Sequence, residues 1–265
     1  MALIRSKDRK VANIVNKAGK QPVIANTFGL PSGKAFSCPG ATSVCETICY
    51  AGKLEKVFKG VREVITSNYE QLTSVGLFGK IDLLDEMITD FVADCEKRNA
   101  DKLFRIHWDG DFFDEEYTVA WRTVMFKHKD VQFWVYTRSD FAIPLLIDIP
   151  NLALYFSADS ANKTLAWELK RKYGVKLAYL AKDFATGKSD FNEQQEKSAV
   201  PCPENNKKIP LISEKGSACV VCSQCVFARN DILFSASKKW EDTMENCLFV
   251  SVLILLVVLV VFLAQ

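Results

Sequence analysis

From position 103 onward, short apolar runs alternate with longer stretches whose apolar residues recur every three or four positions. "LFRIHWDGD" (103–111), "VQFWVYTRSD" (131–140), "LALYFSADS" (152–160) and "VKLAYLAKD" (175–183) each carry an apolar run that finishes among polar residues, as strands do. Between them, "DEEYTVAWRTVMFKHK" (114–129) has the acidic start and basic end that suit a helix dipole. "NKTLAWELKRKYG" (162–174) reads as a helix stopped by Gly174. Further upstream, "VREVITSNYEQLTS" and "KIDLLDEMITDFVADCEKR" show helical spacing of their apolar residues. Strand followed by helix, repeated, predicts a parallel sheet. The expected fold class is α/β, a partial or closed (β/α) barrel, with a doubly wound open sheet as the alternative.

The barrel-like domain is placed at residues 1–183. Residues 184–235 are polar and irregular and are expected to form a cysteine-rich appendage. The locally basic start, "IRSKDRKVANIVNKAGK", reads as a solvated segment. The last stretch differs from everything before it: "CLFVSVLILLVVLVVFLAQ" carries no charge from Cys247 onward. As a helix rising about 1.5 Å per residue, 247–264 is just long enough to cross a hydrocarbon core of roughly 30 Å. A transmembrane tail anchor is favoured over a buried strand, or over an end acquired late or by a shift of frame.

Composition narrows the function more by exclusion than by content. A net charge of +2 gives no argument for nucleic acid, which is not expected as a partner. Nine cysteines, by contrast, need an explanation. No apolar run opens the chain, so a secretory signal is not expected, and close-set cysteines in a reducing cytoplasm bind metal more often than they pair. The expected location is a cytoplasmic domain tethered to a membrane by its tail.

The cysteines form two groups. Cys219, Cys222 and Cys225 follow C-x2-C-x2-C, and Cys202 lies upstream within "PCP". Two-residue gaps let successive thiolates converge, and a run of three with a remote proline-flanked fourth is similar to ferredoxin ligation. Zinc is the chemical alternative, although zinc ribbons usually pair two separate knuckles. Cys38, Cys45 and Cys49, in "CPGATSVCETICYA", have no obvious fourth cysteine. Three thiolates on a [4Fe–4S] cluster leave one iron open, able to take the amino and carboxylate groups of S-adenosylmethionine. A mononuclear zinc site completed by a histidine, or three cysteines supporting the fold, are the other readings of this group. Cys95 is expected in the core.

Polar residues collect where the predicted strands end. By alternation Arg105, His107, Asp109 and Asp111 share one face of the first strand. Such residues are costly at core positions unless they bind something. His107, Asp109 and Arg138 are the candidate catalytic residues. Arg105, Asp111, Thr137 and Ser157 are the candidate cofactor contacts, and Asp159 joins them at the same rim.

The segments "FGLPSGKAFSCPGATSVCETICYAG", "RIHWDGDFF", "VYTRS" and "CPENN…CVVCSQC…ILFS" resemble the phage-borne gene product 88 family, known from mycobacteriophages. The resemblance covers residues 28 to about 235 and maps the family's cysteines onto Cys38, Cys45, Cys49, Cys202, Cys219, Cys222 and Cys225. It implies a phage setting rather than a reaction. Family members end soon after the "ILF" strand, whereas this chain continues into the apolar tail. "CYA" and the strand-end pattern also look like phage and bacterial proteins regarded as distant radical S-adenosylmethionine relatives. The expectation is therefore an iron–sulfur protein carrying one or two [4Fe–4S] clusters, enzymatic and of the radical S-adenosylmethionine type. Its substrate, small or macromolecular, is not named by the sequence, and it needs an electron donor. The alternative is a non-catalytic zinc or iron–sulfur module in phage–host interaction.

Overall fold

The computed structural model describes residues 2–197 and 199–236. The chain first lays down β1 (Thr27–Gly29) and then four helices: α1 (Ser43–Ile48), α2 (Tyr50–Val57), α3 (Lys59–Thr73) and α4 (Leu77–Arg98). Strands and helices then alternate through β2 (Leu103–Asp109), α5 (Glu115–Lys127), β3 (Gln132–Thr137), α6 (Ala142–Leu146), β4 (Leu152–Asp159), α7 (Lys163–Tyr173), β5 (Lys176–Ala181) and α8 (Phe184–Glu193). The remainder is β6 (Val200–Pro201), β7 (Ile212–Ser213), β8 (Gly216–Ser217), α9 (Ala218–Cys222) and β9 (Ile232–Ser235).

Local chemistry sets the boundaries. Asp114 caps α5 by accepting from Tyr117 N at 2.6 Å, with Glu115 and Glu116 in the first turn and Lys127 in the last. Asp183 caps α8 in the same way, accepting from Thr186 N at 2.7 Å. Gly174 ends α7 in the left-handed region at φ 70°.

Seven strands form one sheet in the order β1-β2-β3-β4-β5-β9-β6, and every pairing in it is parallel. β7 and β8 form a separate antiparallel pair. The first five strands lie in chain order, so each crossover steps one strand further in the same direction. Crossovers of one hand then put the intervening helices on one face. The buried residues agree. Phe104, Ile106, Phe133, Val135, Phe156 and Leu177 share a core with Phe91, Trp121, Trp167 and Phe191 from the helices. Their strand neighbours Trp134, Tyr155, Ala178 and Ile232 point to the other face, where they pack with Val11, Val226 and Cys225.

Three expectations need adjustment. No pairing joins β1 to β6 among the described residues, so the hydrogen-bonded ladder does not close into a full barrel. Chain-order strands also lack the reversal that a doubly wound sheet requires. The 184–235 segment is not set apart from the sheet, because β6 and β9 complete it, with Val200 beside Ile232. The N-terminal segment is not simply solvated either: Val11 and Ala12 are fully buried. Among the described residues no helix is long and apolar enough to cross a membrane. The expected tail anchor, 247–264 with Cys247, lies outside the described residues.

Candidate functional site

The sheet face opposite the crossover helices carries the site, with the short helices α1 and α9 at its edge. Arg105, Trp134, Tyr136, Ser157, Ala178 and Phe234, from the five consecutive strands β2, β3, β4, β5 and β9, line a cavity of about 810 Å³. That size is in the range of small-molecule sites. Cys45 and Cys49 from the first cysteine group line it, as do Cys202, Cys219 and Cys225 from the second.

The first group is held at the C-terminal ends of β3 and β4. Thr42 caps α1, accepting from Cys45 N at 3.0 Å while its hydroxyl donates to Asp159 Oδ2 at 2.6 Å. Asp159 is fully buried and also pairs with Arg138 Nη1 at 2.8 Å. Gly40 lies so close to Arg138 that a Cβ there would fall 2.1 Å from its carbonyl oxygen, so only glycine fits. Cys49 joins α1 to α2, and its sulfur accepts from Gly52 N at 3.3 Å. Cys38 does not line the cavity; its sulfur lies 3.9 Å from Ser37 Oγ. Burial, with Asp111 nearby, pushes its thiol far up. Burial likewise raises Cys45, against the pull of Arg138. Asp111 acts on both thiols, and Cys49 acts on Cys45.

The second group is built by three segments. Cys202 follows β6, with its N–H bonded to Leu233 O at 2.9 Å. Cys219 and Cys222 lie on α9, and Cys225 lies in the turn after it. That turn starts from Ser223 in the left-handed region, which lets the chain double back. The N-terminal segment crosses over the group: Cys219 N donates to Lys10 O at 2.9 Å, and Ser217 N to Ala12 O at 3.1 Å. All four cysteines line one small cavity of about 20 Å³. Burial pushes the Cys225 thiol up to about 12. The eight cysteines among the described residues are free thiols. Among those residues no three His, Cys, Asp or Glu side chains gather closely enough to hold a single metal ion.

The strand-end residues divide. Arg105 lines the cavity; its Nη1 pairs with Asp8, and its guanidinium lies 5.7 Å from the Tyr136 ring centre. Arg138 and Ser157 also line it. His107 does not share the face of Arg105, contrary to the alternation. Gly29 pairs with Asp109 and Thr27 with Arg105, so four residue steps on β2 oppose two on β1. Within this irregularity His107 takes φ 58° and turns to the helix side. There its ring packs on Phe28, Phe112 and Tyr117, with Nε2 2.8 Å from Tyr117 Oη. A left-handed non-glycine residue costs on the order of 1–3 kcal/mol. Burial, with Arg105 nearby, pulls His107 down to about 3, which favours a neutral imidazole in the aromatic core, away from the cavity that alternation would have it face.

Asp109 is buried, and burial with the neighbouring Glu55 carboxylate pushes it up to about 9. Asp111 is a structural tie. It accepts from Thr137 Oγ1 at 2.6 Å and from the N–H groups of Arg138 and Phe112 at 2.7 Å each. Burial raises it to about 6 despite those bonds. Neither Asp111 nor Thr137 lines the cavity.

Sequence reasoning passed over Asp8, Lys10, Thr42 and Glu55. Only Thr42 carried a readable signal, as a capping residue ahead of an acidic first turn. The others act across long sequence separations, as with Asp8 and Arg105.

The comparisons agree with one another. The model of the family described as "Gene product 88" matches residues 1–230. The "Gene 88 protein" of Mycobacterium phage L5 is 52% identical over 242 residues, covering 89% of this chain and 99% of that protein. The "Gene 88 protein" of Mycobacterium phage D29 is 50% identical over 244 residues, covering 90% and 99%. No solved structure matches. The chain belongs to the gene product 88 family.

Proposed function

We propose that this chain is a phage-borne iron–sulfur enzyme of the radical S-adenosylmethionine type. One observation carries the reading: thiols from both cysteine groups, five in all, face a single cavity on the side of the parallel sheet opposite its crossover helices. A sheet wound in one direction with its helices on one face is also what a partial (β/α) barrel would display.

The donor sets match such centres in kind and number, although as placed no three of the described thiols gather closely enough to hold a single ion. The second group offers four thiols around one void, each able to bind a different iron. The first group offers Cys45 and Cys49 on the cavity wall, and Cys38, which does not line the cavity, would have to join them as the third ligand. When bound, a cluster there supplies one-electron chemistry and, with S-adenosylmethionine at an open iron, radical chemistry. The chain's own residues do the rest. Thr42, Asp159 and Arg138 hold the loop that carries Cys45 and Cys49. Arg105 and Ser157 present polar groups to whatever enters. Tyr136 and Phe234 supply an aromatic floor. An external electron donor and a reducing cytoplasm belong to the same reading.

Anaerobic reconstitution tests it. Iron and sulfide should be taken up, and reductant with S-adenosylmethionine should yield 5′-deoxyadenosine. Intact clusters that give no deoxyadenosine with any reductant would count against the enzyme.

The small void favours a second reading for one group. Cys202, Cys219, Cys222 and Cys225 share one void of about 20 Å³, room for one ion rather than a cluster, and a zinc ion there would have to draw the four thiols closer together than they stand. A colourless chain with stoichiometric zinc would select this structural role.

A further inference from the structure

The charges around the cavity are arranged unevenly. Arg105 and Arg138 both line it, yet their carboxylate partners Asp8 and Asp159 do not. Each ion pair therefore turns its positive end inward and its negative end toward the protein. Asp159 is wholly buried, and the Arg138 side chain is only 9% exposed. Nη1 of Arg138 makes its bonds to Asp159 and Thr42, and its other guanidinium N–H groups make none among the described residues. A guanidinium held from behind with open donors in front is a ready carboxylate or phosphate receptor. Lys10 and Lys207 also line the wall, but so do Glu204 and Asp183, so these four charges cancel and the two arginines set the bias.

Between the two arginines the floor is aromatic. Tyr136 lies under the Arg105 guanidinium and meets Phe234 edge-on at 6.3 Å. Planar unsaturated groups stack on such a surface.

We infer that the cavity binds a planar organic anion, its acid group between Arg105 and Arg138 and its flat body on Tyr136 and Phe234. The inference deepens the reading above by naming a ligand class for the same cavity, and its test does not depend on the cofactor.

Calorimetry on the full chain, with naphthoate, naphthyl phosphate and neutral naphthamide as probes, decides it. Both anions should bind at least about tenfold more tightly than the amide, and added salt should weaken the anions alone. The stronger of the two anions says whether the acid is a carboxylate or a phosphate. Arg105→Gln and Arg138→Gln should each remove most of this preference, whereas Arg122→Gln, at the surface with Asp148, should leave it unchanged. Should Arg138→Gln fail to fold, Arg105→Gln and the salt series still decide. Equal binding of amide and anions, or no binding to folded chain, overturns the inference. So does anion binding that vanishes once clusters are reconstituted, because the arginines would then serve the inorganic centres. Anion preference in a chain that takes up no iron defeats the cofactor reading alone; iron uptake without anion preference defeats this one alone.

Discussion

His107 shows how far a single side chain departs from what its spacing suggests. Alternation put it beside Arg105, but its positive φ and the uneven pairing of β1 with β2 turn it into the aromatic core. Nothing in "RIHWDGD" marks that irregularity, because it arises from the partner strand. The consequence is measurable. With the folded value near 3 and an unfolded value near 6.5, the unfolded chain gains a proton that the fold refuses. His107 therefore contributes stability that is present above about pH 6.5 and is lost as pH falls toward 3. Urea unfolding of wild type and His107→Phe should show their difference moving by about 2 kcal/mol toward the variant between pH 7.5 and pH 5. A constant difference would mean the imidazole protonates inside the fold. Asp111 belongs to the same scale. Asp111→Asn turns an amide N–H toward either the Arg138 N–H or the bonds from Thr137 and Phe112. It should destabilise by about 1–3 kcal/mol in the same assay.

At the scale of elements, the loop from Cys38 to Cys49 is tied down by backbone fit as much as by side chains. A Cβ at position 40 meets a carbonyl oxygen, which cannot swing away as a side-chain end can. Gly40→Ala should lower the thermal unfolding midpoint and reduce iron bound at the first cysteine group while the second keeps its share. Thr42→Val removes the α1 cap and should cost about 1 kcal/mol, read by chemical unfolding. Most of the strands and helices from 103 to 183 were legible, because the strands end among polar residues, α5 carries its own cap and charges and α7 its Gly174 stop; the short α6, with no side-chain cap, was not read. Of the pieces after 184 only the "ILF" strand, β9, was named, and that from the family resemblance. β6 and β9 are short and become strands only by pairing with each other and with β5. An irregular polar segment and a sheet edge look the same in sequence when the partner is remote.

For the whole molecule, the division into two faces carries the account. Helices cover one side of the sheet, and the other is left for the cysteines, the arginines and the N-terminal segment. The two cysteine groups were visible as spacing, but not that they share a cavity, since that depends on where α1 and α9 dock. Val11 is fully buried among Trp134, Tyr155 and Cys225, so the N-terminal segment is part of the second group's support. Val11→Asp would bury an unpaired charge and should destabilise by at least about 3 kcal/mol, with loss of metal at the second group first.

The most direct measurement is iron, sulfide and zinc content of the anaerobically reconstituted chain, read together with its electron paramagnetic resonance spectrum. Wild type would be compared with Cys45→Ala/Cys49→Ala and with Cys219→Ala/Cys222→Ala. The account predicts iron and sulfide in the wild type, with each double substitution removing about half and one of two distinct signals. Wild-type protein that takes up neither iron nor zinc, or iron that survives both double substitutions unchanged, would contradict it.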